Sequence, residues 1–197
     1  MNLTINFIDI ILTINKIIIM NLPKFSIRDL LDAGVHFGHK TKRWNPKMEP
    51  YIYGIKNDVH IIDLQQTYML MHRALMTAYD VAKNNGRILF VGTKKQASKV
   101  VAESAEQCSQ YYVNHRWLGG MITNWHTVSN SINTLDNITK TLANTESELV
   151  KKEKLRLSKN LEKLERSLGG IKKIGTLPEH NFIIEAHKET IAVQEAN

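Results

Sequence analysis

The run Arg87-Ile-Leu-Phe-Val-Gly92 constrains the fold more than any other stretch of the chain. Four successive apolar residues closed by a glycine offer no polar side to water. They specify a strand covered on both faces, as in a parallel sheet. Thr93 is placed to cap a following helix that runs to about Cys108, with Ala97, Val100, Val101 and Ala105 inward. Tyr111-Tyr112-Val113 reads as a second short strand and Phe182-Ile183-Ile184 as a third, followed by a helix from Glu189 to Ala196. Strand–helix–strand order predicts right-handed crossovers and an α/β fold, a parallel sheet with helices on both faces.

Upstream, Ser26 is a helix N-cap with Asp29 in the first turn, and Gly34 stops that short helix. Tyr51–Ile55 and Val59–Ile62 read as two short strands joined by Lys56-Asn57-Asp58. Asp63 is positioned to cap a long helix from Leu64 to about Lys83, whose Met71, Leu75, Ala78 and Ala82 form an inward stripe.

Between the second and third parallel strands the text turns helical, from about Thr123 to Leu168. Ile132, Leu135, Leu142 and Leu149 recur at helical spacing. After a polar break at Asn144-Thr145, Leu157, Leu161, Leu164 and Leu168 repeat as four, three, four. That narrow seam predicts an antiparallel two-helix coiled coil inserted into the α/β domain and closed by Gly169-Gly170. Its second half carries nine Lys/Arg against five Glu between Glu146 and Lys173. Such charge either solvates an outer face or contacts phosphates. The expected organisation is residues 20–122 with 170–197 as the α/β domain and 123–169 as the helical insertion.

Residues 1–19 are Ile-rich, but Asn2, Asn6, Asp9, Asn15 and Lys16 interrupt them. They lack the charge-free length of a membrane span and the basic front and small-residue cleavage site of a secretory signal. Met20 opens a well-formed beginning, so 1–19 are expected to be a non-native extension, and no membrane partner is expected.

Chemistry concentrates in residues 34–60. Lys40, Lys42, Arg43, Lys47 and Lys56 face only Glu49 and Asp58, with His36, His39, His60, Phe37, Trp44, Tyr51 and Tyr53 interleaved. Cations neutralise phosphates and flat rings stack on bases, so one reading is an RNA surface. The other is a solvated loop whose aromatics plug a neighbouring domain. The net charge of +7 and pI near 9.4 favour a polyanionic partner. His115-Arg116-Trp117-Leu118-Gly119-Gly120 is the second dense motif. Arg116 offers a planar fork for a phosphate. Trp117 and Trp125 either present flat faces or anchor the hairpin root. The expected RNA-binding residues are His39, Lys40, Lys42, Arg43, Trp44, Lys47, Lys94, Lys95 and Arg116.

Enzyme signals are weak. Gly92-Thr93-Lys94-Lys95 lies at a strand-to-helix turn, where phosphate sites occur, but lacks the spacing of a P-loop, and no G-x-G-x-x-G follows a strand. His36-x-x-His39 has no convincing third ligand for a metal. The lone Cys108 excludes an intramolecular disulfide and reads as a small packed thiol. No catalytic residue, cofactor, metal or small-molecule substrate is expected. A nucleotide-binding enzyme using the strand end at Gly92 is the alternative.

Six segments occur in the order of a known family. Gly34-Val-His-Phe-Gly-His39, Arg43-Trp-Asn-Pro-Lys-Met48, Tyr51-Ile-Tyr-Gly54, Phe90-Val-Gly-Thr-Lys-Lys-Gln-Ala97, Arg116-Trp-Leu-Gly-Gly-Met-Ile-Thr-Asn-Trp125 and Leu161-Glu-Lys-Leu-Glu-Arg-Ser-Leu-Gly-Gly-Ile-Lys172 resemble the bacterial small-ribosomal-subunit protein two family from Met20 onward. The resemblance implies a Rossmann-like α/β domain with an inserted helical hairpin. It implies a non-catalytic role in translation, bound to small-subunit ribosomal RNA and neighbouring proteins, including the large mRNA-binding protein. The ribosome would be in bacterial cytoplasm or an organelle. The sequence ends at Gln194-Glu-Ala-Asn197, where the family continues into a further strand, an Asp-Thr-Asn turn and a helix. A C-terminally truncated form, functional or a non-functional remnant, is therefore an expectation. Glu179 and Glu185 stand where the family often shows Asp.

Overall fold

The computed structural model describes residues 22–144 and 150–196. The chain divides into two compact units at Asp80/Val81. The reading of residues 1–19 as an extension, and the place of Leu149 in the hairpin seam, lie outside the described residues.

The first unit begins with helix α1 (Ile27–Asp32). Its Ser26 cap accepts the Asp29 N–H, while the Asp29 carboxylate accepts the Ser26 N–H at 2.8 Å, a reciprocal capping box. These bonds, the backbone N–H of Ser26 first, hold the Asp29 carboxyl below the usual range. Three strands follow: β1 (Phe37–Lys40), β2 (Ile52–Lys56) and β3 (Val59–Ile62). They form an antiparallel sheet in the order β1-β3-β2. The β2–β3 connection is a two-residue turn with Asn57 at φ 50 and Asp58 at φ 59. Two left-handed residues in succession match the twist of the flanking strands, and Asn and Asp tolerate that conformation best after glycine. Strand β1 is not apparent in the sequence; Phe-Gly-His-Lys has no apolar alternation, and only pairing with β3 makes it a strand.

Helix α2 (Leu64–Lys83) starts as expected, with the Asp63 carboxylate accepting the Gln65 N–H at 2.9 Å. Its inward stripe differs from the expected one. Met71 and Ala82 are exposed, and the half-buried positions include Leu64, Tyr68, His72, Leu75 and Tyr79. Phe25 stacks on His72 at 4.7 Å and lies 5.1 Å from Tyr68, so ring packing rotates the helix away from the methionine face.

The second unit holds the parallel sheet. Strand β4 (Ile88–Val91) is central, paired with β5 (Tyr111–Val113) on one side and β6 (His180–Ile183) on the other, both parallel. Helix α3 (Lys95–Gln107) is the β4–β5 crossover. Val101 and Ala105 are buried, but Val100 is 60% exposed and Cys108 lies at the surface, against expectation. One residue of rotation about the helix turns Val100 out, and Cys108 is already the C-cap, beyond the packed face. Thr93 does not cap α3; Lys94 stands at the N-cap. The Thr93 backbone N–H and hydroxyl both go to Glu189.

Helices α4 (Trp125–Asn144) and α5 (Lys151–Leu168) pack on each other. Val128, Ile132, Leu135 and Ile138 are buried on α4, while Leu157, Leu161, Leu164 and Leu168 line the otherwise exposed α5. Lys172 pairs with Asp136 at 2.9 Å, tying the end of the second helix back to the first. The core runs from Leu89, Val91 and Val113 of the sheet through Trp117 and Met121 to Leu135, Leu168 and Ile171. Gly170 belongs to this joint: a Cβ there would meet the Tyr112 carbonyl oxygen at 2.2 Å, so only glycine lets the chain pass the end of β5. The last helix, α6 (Thr190–Ala196), buries Ala192.

Candidate nucleic-acid interface

The basic segment is shaped by two short 3-10 turns, Thr41–Arg43 and Pro46–Tyr51. Asn45 starts the second, its side chain accepting the Lys47 N–H at 3.0 Å, and Pro46 supplies a fixed φ at the first position. The turns interrupt any ladder and leave their side chains to solvent. His39, Lys40, Lys42, Arg43 and Lys47 are all exposed, and none has an acidic partner among the described residues. Trp44 stands between the turns, 41% exposed, its ring centroid 5.5 Å from that of His60. Tyr53 is 82% exposed on β2. Five cationic or imidazole groups and two rings thus share one stretch of the first unit.

The remaining candidates belong to the second unit. Lys94 and Lys95 follow β4, and Arg116 follows β5, at the ends of parallel strands where α/β sheets gather ligands. Lys95 and Arg116 are exposed, whereas Lys94 pairs with Glu185 at 2.8 Å. A cleft of about 350 Å3 lies here, lined by Thr93, His115, Arg116, Lys188, Glu189 and Thr190. Glu189 is buried and takes both donors of Thr93. A carboxylate therefore holds the backbone N–H at the strand end, the position a phosphate occupies in nucleotide-binding folds.

Trp117 and Trp125 take the anchoring role: Trp117 is buried in the core and Trp125 packs against it. The turn they frame binds a carboxylate that the sequence does not reveal. Glu195 accepts the Gly120 N–H at 2.6 Å, the Ile122 N–H at 3.0 Å, the Trp117 indole N–H at 3.2 Å and the Thr123 hydroxyl at 3.5 Å. Partial burial pushes this carboxyl up, but the Ile122, Gly120, Trp117 and Thr123 donors outweigh it and hold the group below its ordinary value. Glu179 plays a similar part ahead of β6, accepting the Arg87 N–H, which lowers its carboxyl.

Among the described residues, no three His, Cys, Asp or Glu side chains are grouped to hold a metal ion, and no helix is long and apolar enough to cross a membrane. The fold defines a class, an α/β protein with a parallel sheet, and among the described residues its turns carry exposed cations without acidic partners. Known proteins narrow it. The sequence profile of the family described as ribosomal protein S2 matches residues 30–197. The protein called small ribosomal subunit protein uS2 in Parvibaculum lavamentivorans is 59% identical over 177 residues, covering 90% of this chain and 70% of that one. Its namesakes in Paramagnetospirillum magneticum and Anaplasma marginale are 59% and 58% identical over 179 residues, each match covering 90% of this chain and 67% and 55% of theirs. The chain belongs to the ribosomal protein S2 family.

Proposed function

We propose that the chain is a structural constituent of the small ribosomal subunit, holding ribosomal RNA through the exposed cations of residues 39–47 together with Lys94, Lys95 and Arg116. The observation that carries this reading is the conjunction of family membership over residues 30–197 with cations at Lys40, Lys42, Arg43 and Lys47 that no described acid neutralises. Unpaired cations retain their full attraction for phosphate and release counterions on binding. Neighbouring small-subunit proteins, the large mRNA-binding protein among them, are the protein partners of this reading. Its compartment is the ribosome-bearing cytoplasm of a bacterium or an organelle. The role is non-catalytic. A nucleotide enzyme at the β4 strand end is disfavoured because the Glu189 carboxylate already holds Thr93 and would repel a phosphate.

The test is binding of small-subunit ribosomal RNA across a salt series. Replacing Lys42 and Arg43 with Ala should weaken binding and flatten the dependence of log K on log salt by roughly 0.7 to 0.9 for each phosphate no longer neutralised. An unchanged slope removes these two residues from the interface.

A further inference from the structure

His60 is the least explained side chain of the first unit. It is 9% exposed, yet neither ring nitrogen has a hydrogen-bond partner among the described atoms. Buried polar groups are ordinarily paired, because each left a hydrogen bond to water behind when it was enclosed. The packing around His60 is close on every side that the strands control. It faces Ile55 across the β2–β3 ladder. On the β1 side, a Cβ on Gly38 would meet the His60 carbonyl oxygen at 2.9 Å and its Cβ at 3.5 Å, so glycine brings that strand against it. Trp44 is tilted 32° against the imidazole from the two-residue link between the 3-10 turns, a segment tethered at its ends where the Asp58 carbonyl accepts the Thr41 N–H at 2.9 Å and the Pro50 carbonyl accepts the Gln66 amide at 3.0 Å. Of the neighbours named, Trp44 alone lies outside the sheet. It is flanked by Lys42, Arg43 and Lys47, cations exposed and unpaired.

We infer that Trp44 is a base-stacking lid over His60: an unpaired nucleobase of single-stranded RNA draws the indole off the imidazole, and the freed His60 nitrogens then bond to the same strand. The inference rests on the RNA-binding reading above and adds a ligand class to it, unstacked bases rather than duplex. Charge complementarity selects RNA as the occupant: the cations beside the lid attract a polyanion, and an indole face suits any base. An apolar protein partner would have to bury those cations unpaired.

The experiment compares full-length protein with Trp44→Leu, Trp44→Phe and His60→Phe variants, each checked for parental circular dichroism. The probes are an unstructured 20-nucleotide RNA and a 20-base-pair RNA duplex. Leucine keeps an apolar cover but removes the flat face. Trp44→Leu should weaken single-stranded binding by about 5- to 100-fold, the range expected for one base–aromatic stack. Trp44→Phe should recover most of it. His60→Phe keeps a ring beneath the indole but no nitrogen, and should cost about tenfold or less. Duplex binding and the salt slope should not change, since no cation is removed. Equal losses on single strand and duplex, or no loss in Trp44→Leu, would overturn the lid. If Lys42→Ala/Arg43→Ala still weakens binding in that case, the RNA reading stands without the lid. If that double variant also binds as the parent does, the basic segment's part in RNA binding falls as well.

Discussion

Glu195 shows how one carboxylate can fix a turn. Four donors from Trp117, Gly120, Ile122 and Thr123 converge on it, so α6 is clamped to the segment that links β5 to α4. Because its carboxyl is depressed below the ordinary glutamate value of 4.5, the clamp has a defined pH behaviour. Well above 4.5 both folded and unfolded chains carry the charge and the full stabilisation is present. As pH falls through that value the unfolded chain takes up the proton first, and the stabilisation is lost by the lower folded value. Glu195→Gln should therefore cost about 1 to 3 kcal/mol at neutral pH and show a shallower loss of stability as pH falls through and below 4.5. Thermal unfolding of both proteins across that range measures it. Parallel pH profiles would mean that the clamp does not depend on the ionised carboxylate.

Elements were legible in the sequence where local pattern and tertiary packing agree. The apolar run of β4, the Asn57-Asp58 turn, the Ser26 and Asp63 caps and the four-three-four leucines of α5 each state their structure locally. What could not be read depends on partners distant in the chain. Phe37–Lys40 becomes a strand only through β3, and Val100 turns outward because Val101 and Ala105 take the inward face. Thr93 forgoes its cap for Glu189, 96 positions on. The cations of the candidate site were visible from composition, but the buried His60 beneath Trp44 and the donor nest around Glu195 were not. Neither has a motif, and each exists only once separate segments meet. Leu135 tests the hairpin root directly, since it is fully buried between α4 and the sheet core. Leu135→Ala should cost roughly 2 to 5 kcal/mol, a transfer loss plus a cavity. A cost under about 1 kcal/mol, measured by denaturant unfolding, would mean that the root does not share the core of the sheet.

For the molecule as a whole, a net charge of +7 sets a direction rather than a fold. The fold decides where that charge is free. In the second unit, Lys94 and Lys172 are paired with acids, whereas the turns of the first unit leave theirs open. Those open cations matter only if the chain works as a part of the small ribosomal subunit. That role is checked by purifying small subunits from the source organism at moderate salt and quantifying this chain in them by mass spectrometry against other small-subunit proteins. It should be present in proportion to those proteins and be released as salt is raised. Subunits that lack the chain, while it accumulates free elsewhere in the cell, would contradict the ribosomal role.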